Sequence, residues 1–301
     1  MNDIRQDNLI FRVFPLFTHP YILLMRLDRP TGFMLLFYPM SISLLVFSEF
    51  NLELFNLMTL FFCGSIVMRS AGCIINDLFD RDIDKLTSRT QSRPLVTNKI
   101  SITNSIICLI ILLIVGLFIL SRLNLTSIIL GIAVSPLVIL YPLAKRYFII
   151  PQLVLAITYN WGCFIAWTSI GSPSKFNLIL ILYLSMVIWT IIYDTVYATQ
   201  DEVDDKKMFL NSSAILFGKQ KTFILNCLVL IQYLLLVFLG FFLNFNFVYH
   251  IIILGIFLIN TLDINLIWKN SAVNAGKYFK RNNYYGFLIL MSIIIGNQIY
   301  V

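Results

Sequence analysis

Residues 222–262 have the sequence TFILNCLVLIQYLLLVFLGFFLNFNFVYHIIILGIFLINTL, and no Asp, Glu, Lys or Arg interrupts them. This run is about twice as long as the ~20 apolar residues that one membrane-spanning helix needs. Gly240, Asn244 and Asn246 lie near its middle, and glycine and asparagine favour turns. We therefore predict two membrane helices joined by a short turn.

Seven further uncharged runs occupy residues 31–48, 54–68, 100–121, 123–144, 147–174, 176–193 and 282–301. The composition agrees with a membrane protein, since 59% of the 301 residues are apolar and only 12% are charged. Together the runs predict an all-α integral membrane protein with nine transmembrane helices around a central cavity. We expect a single domain over residues 1–301, with a short amphipathic segment at about 1–30.

The distribution of Lys and Arg tests this count. If the N-terminus is cytoplasmic and the chain crosses nine times, Arg122 and Lys175 face the outer side and Arg69 lies inside the second span. All other Lys and Arg then face the cytoplasm, as the positive-inside rule requires. The cavity is expected to open on that side, in the inner membrane of a bacterium. Anionic lipid headgroups explain the net charge of +7 better than nucleic acid does, and no obligate protein partner is evident.

Two clusters of acids follow the second and the sixth predicted spans. The first is NDLFDRDID at residues 76–84, where Asn76, Asp80 and Asp84 are four residues apart and share one helical face. The second is DTVYATQDEVDD at residues 194–205, where Asp194, Asp201 and Asp205 also have helical spacing. Carboxylates at the edge of a membrane are costly unless a cation or water meets them.

Two facing carboxylate clusters suit a diphosphate bridged by Mg²⁺, because Mg²⁺ is held by one or two carboxylates, waters and phosphate oxygens. A simpler interpretation is that the acids form solvated helix ends paired with nearby lysines and arginines. A cation-coupled transporter is a third hypothesis, although transporter sites usually lie near the middle of the membrane. The CDP-alcohol phosphotransferases carry a DGxxAR motif, which does not occur here.

Both clusters resemble the aspartate-rich motifs of the UbiA superfamily of intramembrane prenyltransferases. The resemblance extends over nearly the whole chain, through LMRLDRPTG (24–32), SRPL (92–95), YPLAKR (141–146), PQ (151–152), SSAILFG (212–218) and NN (282–283) before Gly286. The segments around residues 141–152 and 194–218 are most similar to the branch that prenylates 4-hydroxybenzoate in ubiquinone synthesis. Acceptors of other branches, such as a naphthoate, homogentisate or haem, remain alternatives.

The resemblance implies transfer of a polyprenyl group from polyprenyl diphosphate to the ring carbon ortho to the phenol, with Mg²⁺ as cofactor and membrane lipid as surroundings. The expected ligands of the metal are Asn76, Asp80, Asp84, Asp201 and Asp205. The expected catalytic residues are Asp194, Asp201 and Arg146, where Asp194 would orient the phenol or accept the ring proton. The expected substrate-binding residues are Asn76, Lys85, Arg93, Lys145, Arg146 and Tyr197, the arginines because guanidinium groups bind phosphate and carboxylate in bidentate fashion.

Overall fold

The computed structural model describes residues 10–171, 175–267 and 271–297, and within these ranges it contains helices and no strands. The first part of the chain forms α1 (Ile10–Val13), α2 (His19–Leu24), α3 (Thr31–Phe47), α4 (Leu52–Phe79), α5 (Arg81–Leu86), α6 (Ile102–Leu120), α7 (Leu125–Ala133), α8 (Ser135–Leu140), α9 (Ala144–Tyr147), α10 (Pro151–Asn160) and α11 (Gly162–Ser169). The rest forms α12 (Phe176–Ala198), α13 (Glu202–Lys207), α14 (Ser213–Phe217), α15 (Lys221–Phe242), α16 (Phe247–Ile267) and α17 (Ser271–Asn297). The all-helical prediction is confirmed.

Six helical segments within the described ranges are long and apolar enough to cross a membrane. They are Leu52–Phe79, Ile102–Leu120, Leu125–Tyr147, Phe176–Ala198, Ser213–Phe242 and Phe247–Leu266. The other three predicted spans are helical but differ in form: α3 has only 17 residues, α10 and α11 are two short helices, and α17 begins with a basic half. The structure thus supports an integral membrane protein, while the count of nine spans stays a prediction.

The predicted turn within residues 222–262 is confirmed, because α15 ends at Phe242 and α16 begins at Phe247. Asn244 has a positive φ of 55°, a conformation that asparagine tolerates better than most residues. Asn246 accepts a hydrogen bond from the N–H of Tyr249 at 3.1 Å. Gly240 is required by close packing, since a Cβ atom there would overlap the ring of Tyr249.

The helices enclose one large apolar core. Its fully buried members come from α3, α10–α12 and α15–α17, with Trp189 of α12 among the largest. α12 packs extensively against α10, α15 and α17, while α3 packs against α4, α11 and α17. In contrast, α6 and α7 leave most of their apolar side chains exposed, as expected for helices that face lipid. Of the two acid-bearing helices, α4 is therefore fixed by packing on α3, and α12 by packing on α10, α15 and α17.

A second, smaller apolar core fixes the loop at residues 87–100, which connects α5 to α6. Leu95 and Ile100 of this loop pack with Leu24 of α2 and Ile74 of α4. Within the loop, the N–H of Arg93 donates to the carbonyl of Thr90 at 2.9 Å, and further short-range hydrogen bonds follow. The 87–100 loop is thus an ordered element beside the first acidic motif.

The N-terminal segment exposes several apolar side chains. Val13, at the end of α1, and Leu16 and Phe17, between α1 and α2, are 76%, 83% and 75% exposed, and the amphipathic segment at about 1–30 stays a prediction. Residues 1–9 of the predicted amphipathic segment, like Lys269 among the cytoplasmic basic residues, lie outside the described ranges.

Candidate active site

The first acidic motif lies where α4 ends and α5 begins. The N–H groups of Asp80 and Asp84 donate to the carbonyls of Asn76 and Asp80 at 2.9 and 2.8 Å. Helical spacing is therefore kept across the junction, as the sequence predicts. Asp80 and Asp84 are buried and Asn76 is half-buried. These three oxygen-bearing side chains lie in succession along the C-terminal end of α4 and the start of α5.

Asp77 differs from the other residues of the motif, because two arginines hold its carboxylate. Arg26 Nη2 donates to Oδ1 and Oδ2 at 2.8 and 2.9 Å, and Arg93 Nη1 donates to Oδ1 at 3.0 Å. Arg93 Nη1 also donates to Asp84 Oδ2 at 2.7 Å. Asp77, only 1% exposed, thus orients Arg93, which in turn contacts Asp84. Spacing along the sequence gave no reason to separate Asp77 from its neighbours.

The second acidic motif is divided between two helices. The N–H groups of residues 199–201 donate to carbonyls three residues earlier at 3.1–3.2 Å, which is the pattern of a 3₁₀ turn. Asp194 therefore lies in α12, Asp201 in the turn and Asp205 in α13. The prediction of one continuous helical face is wrong in this detail, because the tighter turn changes the rotation between Asp194 and the other two acids.

The 87–100 loop connects the two motifs. Arg89 Nε donates to Asp201 Oδ1 at 2.8 Å and Nη2 donates to Oδ2 at 2.5 Å, across 112 residues of sequence. Arg89 Nη1 donates to the Tyr197 hydroxyl at 3.0 Å, and its guanidinium carbon lies 5.2 Å from the centroid of that ring. Next to it, the N–H and hydroxyl of Ser88 donate to Asp204 Oδ2 at 3.3 and 2.9 Å. The 87–100 loop thus contacts acids of both motifs, through Arg93 on one side and through Ser88 and Arg89 on the other.

Residues 141–152 contact both halves of this site. Arg146 Nη2 donates to the carbonyl of Phe79 at 2.9 Å and lies 3.8 Å from Asp80 Oδ1. On the other side, the N–H of Asn211 donates to the carbonyl of Lys145 at 2.9 Å. The charge of Lys145 acts on Asp80, Asp194 and Asp205 alike. Lys145 is therefore placed between the clusters.

A buried hydrogen bond attaches the PQ (151–152) and SSAILFG (212–218) segments to each other. Gln152 Oε1 accepts from the N–H of Ser213 at 2.8 Å, and the hydroxyls of Ser213 and Thr195 are 2.6 Å apart. All three residues are buried. The PQ and SSAILFG segments are thus in contact, and these hydrogen bonds fix the C-terminal end of α12 against α10.

Arg69 and Asp194 lie deeper in the bundle than the other residues of the two acidic motifs. Arg69 precedes Asn76 by seven residues, and Asp194 precedes Asp201 by the same number, which corresponds to about 10 Å along a helix. The charges of Arg69 and Asp194 act on each other. Arg69 Nε is buried and donates no hydrogen bond to any described residue, and its guanidinium carbon lies 5.8 Å from the centroid of the Tyr159 ring. An ionisable residue inside a membrane helix marks a functional site, yet our sequence analysis treated Arg69 only as a topological exception.

Burial disfavours the charged form of the carboxylates in the site, so that a nearby cation would stabilise them. Burial raises the pKa values of Asp80 and Asp84, and it raises the pKa of Asp205 to about 6. Asp80 Oδ1 is buried and accepts no hydrogen bond from any described residue. Within the described ranges, no three His, Cys, Asp or Glu side chains lie close enough to hold a metal by themselves. A set of carboxylate and amide oxygens that includes the unpartnered Asp80 Oδ1 has the donor chemistry that Mg²⁺ prefers, with water and phosphate oxygens completing its coordination.

The predicted substrate-binding residues fall into two groups. Asn76 lies within the first acidic cluster near the C-terminal end of α4, and Arg93, Lys145, Arg146 and Tyr197 lie between or beside the two clusters, as described above. Lys85 instead pairs with Asp82 at 2.7 Å on the surface, where Asp82 is 91% exposed. In the described contacts Lys85 thus pairs with Asp82 and with none of the predicted metal ligands, and its role stays a prediction.

Comparison with known proteins identifies the family. Residues 36–288 match the UbiA prenyltransferase family. The chain is 44% identical over 203 residues to the mitochondrial 4-hydroxybenzoate polyprenyltransferase of Drosophila pseudoobscura pseudoobscura, covering 67% of this chain and 51% of that protein. It thus spans about half the length of the first curated relatives. It is also 35% identical over 277 residues to the 4-hydroxybenzoate octaprenyltransferase of Francisella tularensis subsp. novicida, covering 91% of this chain and 96% of that protein.

Solved structures of distant relatives share the fold. A UbiA homologue from Aeropyrum pernix, in its apo form, superposes with a TM-score of 0.72 at 23% identity, covering 88% of this chain and 97% of that one. A UbiA homologue from Archaeoglobus fulgidus, bound to GPP and Mg²⁺, gives a TM-score of 0.67 at 18% identity, covering 90% and 99%. With its two acidic motifs joined in one site and most of its length matched, the chain belongs to the UbiA prenyltransferase family.

Proposed function

We propose that the protein transfers a polyprenyl group from polyprenyl diphosphate to 4-hydroxybenzoate, giving 3-polyprenyl-4-hydroxybenzoate for ubiquinone synthesis. The observation that carries this proposal is the convergence of the two acidic motifs with Arg93, Lys145 and Arg146. Such a collection of carboxylates and cations suits a metal-bound diphosphate. The names of the relatives from Drosophila and Francisella support 4-hydroxybenzoate as the acceptor.

The metal ligands in this proposal are Asn76, Asp80, Asp84, Asp201 and Asp205. When bound, Mg²⁺ withdraws negative charge from the departing diphosphate. The relative from Archaeoglobus fulgidus, solved with GPP and Mg²⁺, supports this choice of ion. Lys145 and Arg146 are proposed to bind the diphosphate oxygens, and Arg93 to keep Asp84 in place. These cations stabilise the charge that develops as the allylic C–O bond breaks.

The acceptor is proposed to bind two helical turns deeper, between Arg69 and Asp194. A benzoate carries a carboxylate at one end, which a buried guanidinium binds well, and a phenol at the other, which a carboxylate such as Asp194 can hold. The ring carbon ortho to the hydroxyl then forms a bond to the allylic carbon as the C–O bond to diphosphate breaks. Asp194 is proposed to accept the proton that leaves this ring carbon.

The proposed topology places nine transmembrane helices around a cavity that opens to the cytoplasm, within a single domain over residues 1–301. The strong bias of Lys and Arg toward one side supports the orientation. The match to a bacterial relative over nearly all of its length supports a bacterial inner membrane. Membrane lipid and the two substrates are the proposed partners.

The proposal is tested with purified protein in lipid nanodiscs, 4-hydroxybenzoate, a polyprenyl diphosphate and Mg²⁺. We expect prenylated 4-hydroxybenzoate and free diphosphate in equal amounts, and none after chelation of the metal. Asp80→Asn and Asp201→Asn should abolish the product, whereas Asp82→Asn, an exposed acid of the same motif, should not. Turnover that survives chelation, or that is unaffected in both site variants, contradicts the proposed site.

A further inference from the structure

We propose that, before prenyl diphosphate binds, Arg89 occupies the carboxylate of Asp201 and thereby keeps Mg²⁺ from binding tightly on its own. The inference rests on the proposed function, because it requires Asp201 to be a metal ligand. Its consequence is that metal and prenyl diphosphate bind tightly only together. Arg89 is then a positioning residue of the substrate-free site.

The geometry of the ion pair opposes tight metal binding. Arg89 uses two nitrogens to contact both carboxylate oxygens of Asp201, at 2.8 and 2.5 Å. Mg²⁺ needs one of these oxygens at about 2.0–2.1 Å in near-octahedral geometry. A guanidinium in bidentate contact occupies a lone pair of each oxygen, neutralises the carboxylate and repels a second cation. Mg²⁺ therefore competes with Arg89 for Asp201.

The pair is held from several directions, so that displacement has a cost. Arg89 also contacts the hydroxyl and the ring of Tyr197, and the side chains of Arg89 and Asp201 are only 16% and 14% exposed. Ser88 binds Asp204 next to it. Behind these contacts, the small core around Leu95 anchors the 87–100 loop. Partly buried, charge-assisted contacts of this kind are stronger than surface ion pairs.

The first half of the site differs in this respect. Asp80 Oδ1 is buried without a hydrogen bond from any described residue, and Arg146 lies 3.8 Å from it, beyond hydrogen-bonding distance. This carboxylate is open to a cation, whereas that of Asp201 is covered. Prenyl diphosphate changes the balance, because its oxygens offer Arg89 an equivalent bidentate partner and release Asp201 for the metal.

The test is a titration of Mg²⁺ into the purified protein in nanodiscs of neutral lipid, followed by calorimetry, with no aromatic acceptor present. Without prenyl diphosphate, the Arg89→Gln variant should bind Mg²⁺ about tenfold more tightly than the unaltered protein. This is the change in affinity expected when a charge-assisted contact with Asp201 no longer competes with the metal. With prenyl diphosphate present, the difference should fall below about threefold. The Arg89→Lys variant keeps the charge but loses the bidentate geometry. Its Mg²⁺ affinity should lie between those of the unaltered protein and the Arg89→Gln variant.

Ser88→Ala is the matched control, since it removes the neighbouring loop contact and leaves Asp201 paired; its Mg²⁺ affinity should equal that of the unaltered protein. If, in the absence of prenyl diphosphate, Arg89→Gln and the unaltered protein bind Mg²⁺ with equal affinity, the inference is overturned. If Asp201→Asn still weakens Mg²⁺ binding in the presence of prenyl diphosphate, the proposed metal site survives that result. If Asp201→Asn has no effect on Mg²⁺ binding, the metal site itself is refuted. Should Arg89→Gln fail to fold, the comparison of Arg89→Lys with the unaltered protein decides the question.

Discussion

Replacing Asp77 by Asn should destabilise the protein more than any other single change of an acid in the first motif. Asp77 is 1% exposed and accepts three hydrogen bonds from Arg26 and Arg93, whose side chains are each 11% exposed. Removal of one partner from a buried ion pair costs about 3–5 kcal/mol, because the other charge is left uncompensated. The arginines retain some contact with solvent, so we expect a loss near the lower limit, about 3 kcal/mol.

The backbone of Arg26 adds to this expectation. Its φ is 58°, a left-handed conformation that is rare for residues other than glycine, and Asp77 is the carboxylate that its guanidinium holds. Without that partner, the end of α2 loses a contact that compensates the strain. The Asn variant should also misplace Arg93 and hence Asp84, which raises the KM for prenyl diphosphate.

The assay is the free energy of unfolding in mixed micelles, measured by chemical denaturation, for Asp77→Asn and Asp82→Asn. Asp82 is the matched control, because it undergoes the same substitution in the same motif but contacts only Lys85 on the surface. We expect no measurable change for Asp82→Asn. If the two variants are equally stable, the buried network around Asp77 does not carry the energy that its geometry suggests.

Three further predictions concern packing, a buried cap and the acceptor. Gly286→Ala places a Cβ atom against aromatic rings of α3 and α12 and should cost about 1–3 kcal/mol, whereas Gly255→Ala, with open space around it, should be neutral or slightly stabilising in thermal unfolding. Gln152→Ala leaves the buried N–H of Ser213 without an acceptor and should lower the free energy of unfolding by about 1–3 kcal/mol; an unchanged denaturation midpoint would contradict this. Arg69→Gln should raise the KM for 4-hydroxybenzoate at least about tenfold while changing that for prenyl diphosphate less than about twofold, and equal changes in both would refute an acceptor site at this depth.

The sequence predicted local features well, because they depend on neighbouring residues. The turn at Asn244, the apolar helices and the four-residue spacing of Asp80 and Asp84 all follow from composition and helical periodicity. The 3₁₀ turn before Asp201 was not predicted, since a change from four-residue to three-residue hydrogen bonding leaves no clear mark in the spacing of side chains.

Ion pairs between residues far apart in the chain could not be predicted from the sequence. Arg89 was one of many basic residues in a cytoplasmic loop, and nothing in its surroundings indicates a partner 112 residues away. Arg69 gave a clearer signal, because a lone charge inside a membrane helix is costly. Arg93 reaches the site because the 87–100 loop, in which Leu95 is buried, packs beside the first motif, whereas Lys85 belongs to α5 and pairs with Asp82 on the surface.

The two acidic clusters also differ in how early in translation their arginine partners become available to them. Asp77 is held by Arg26 and Arg93, so this network is complete once the first hundred residues have left the ribosome. Asp201 depends on Arg89, synthesised 112 residues earlier. Because N-terminal parts of a chain fold first during translation, the first cluster can assemble on its own. Since Asp201 follows α12, the helix for which Arg89 must wait is α12. Closure of the full site is thus a late step of biogenesis, and a chain truncated before α12 would keep the first cluster while lacking the contact that joins the halves.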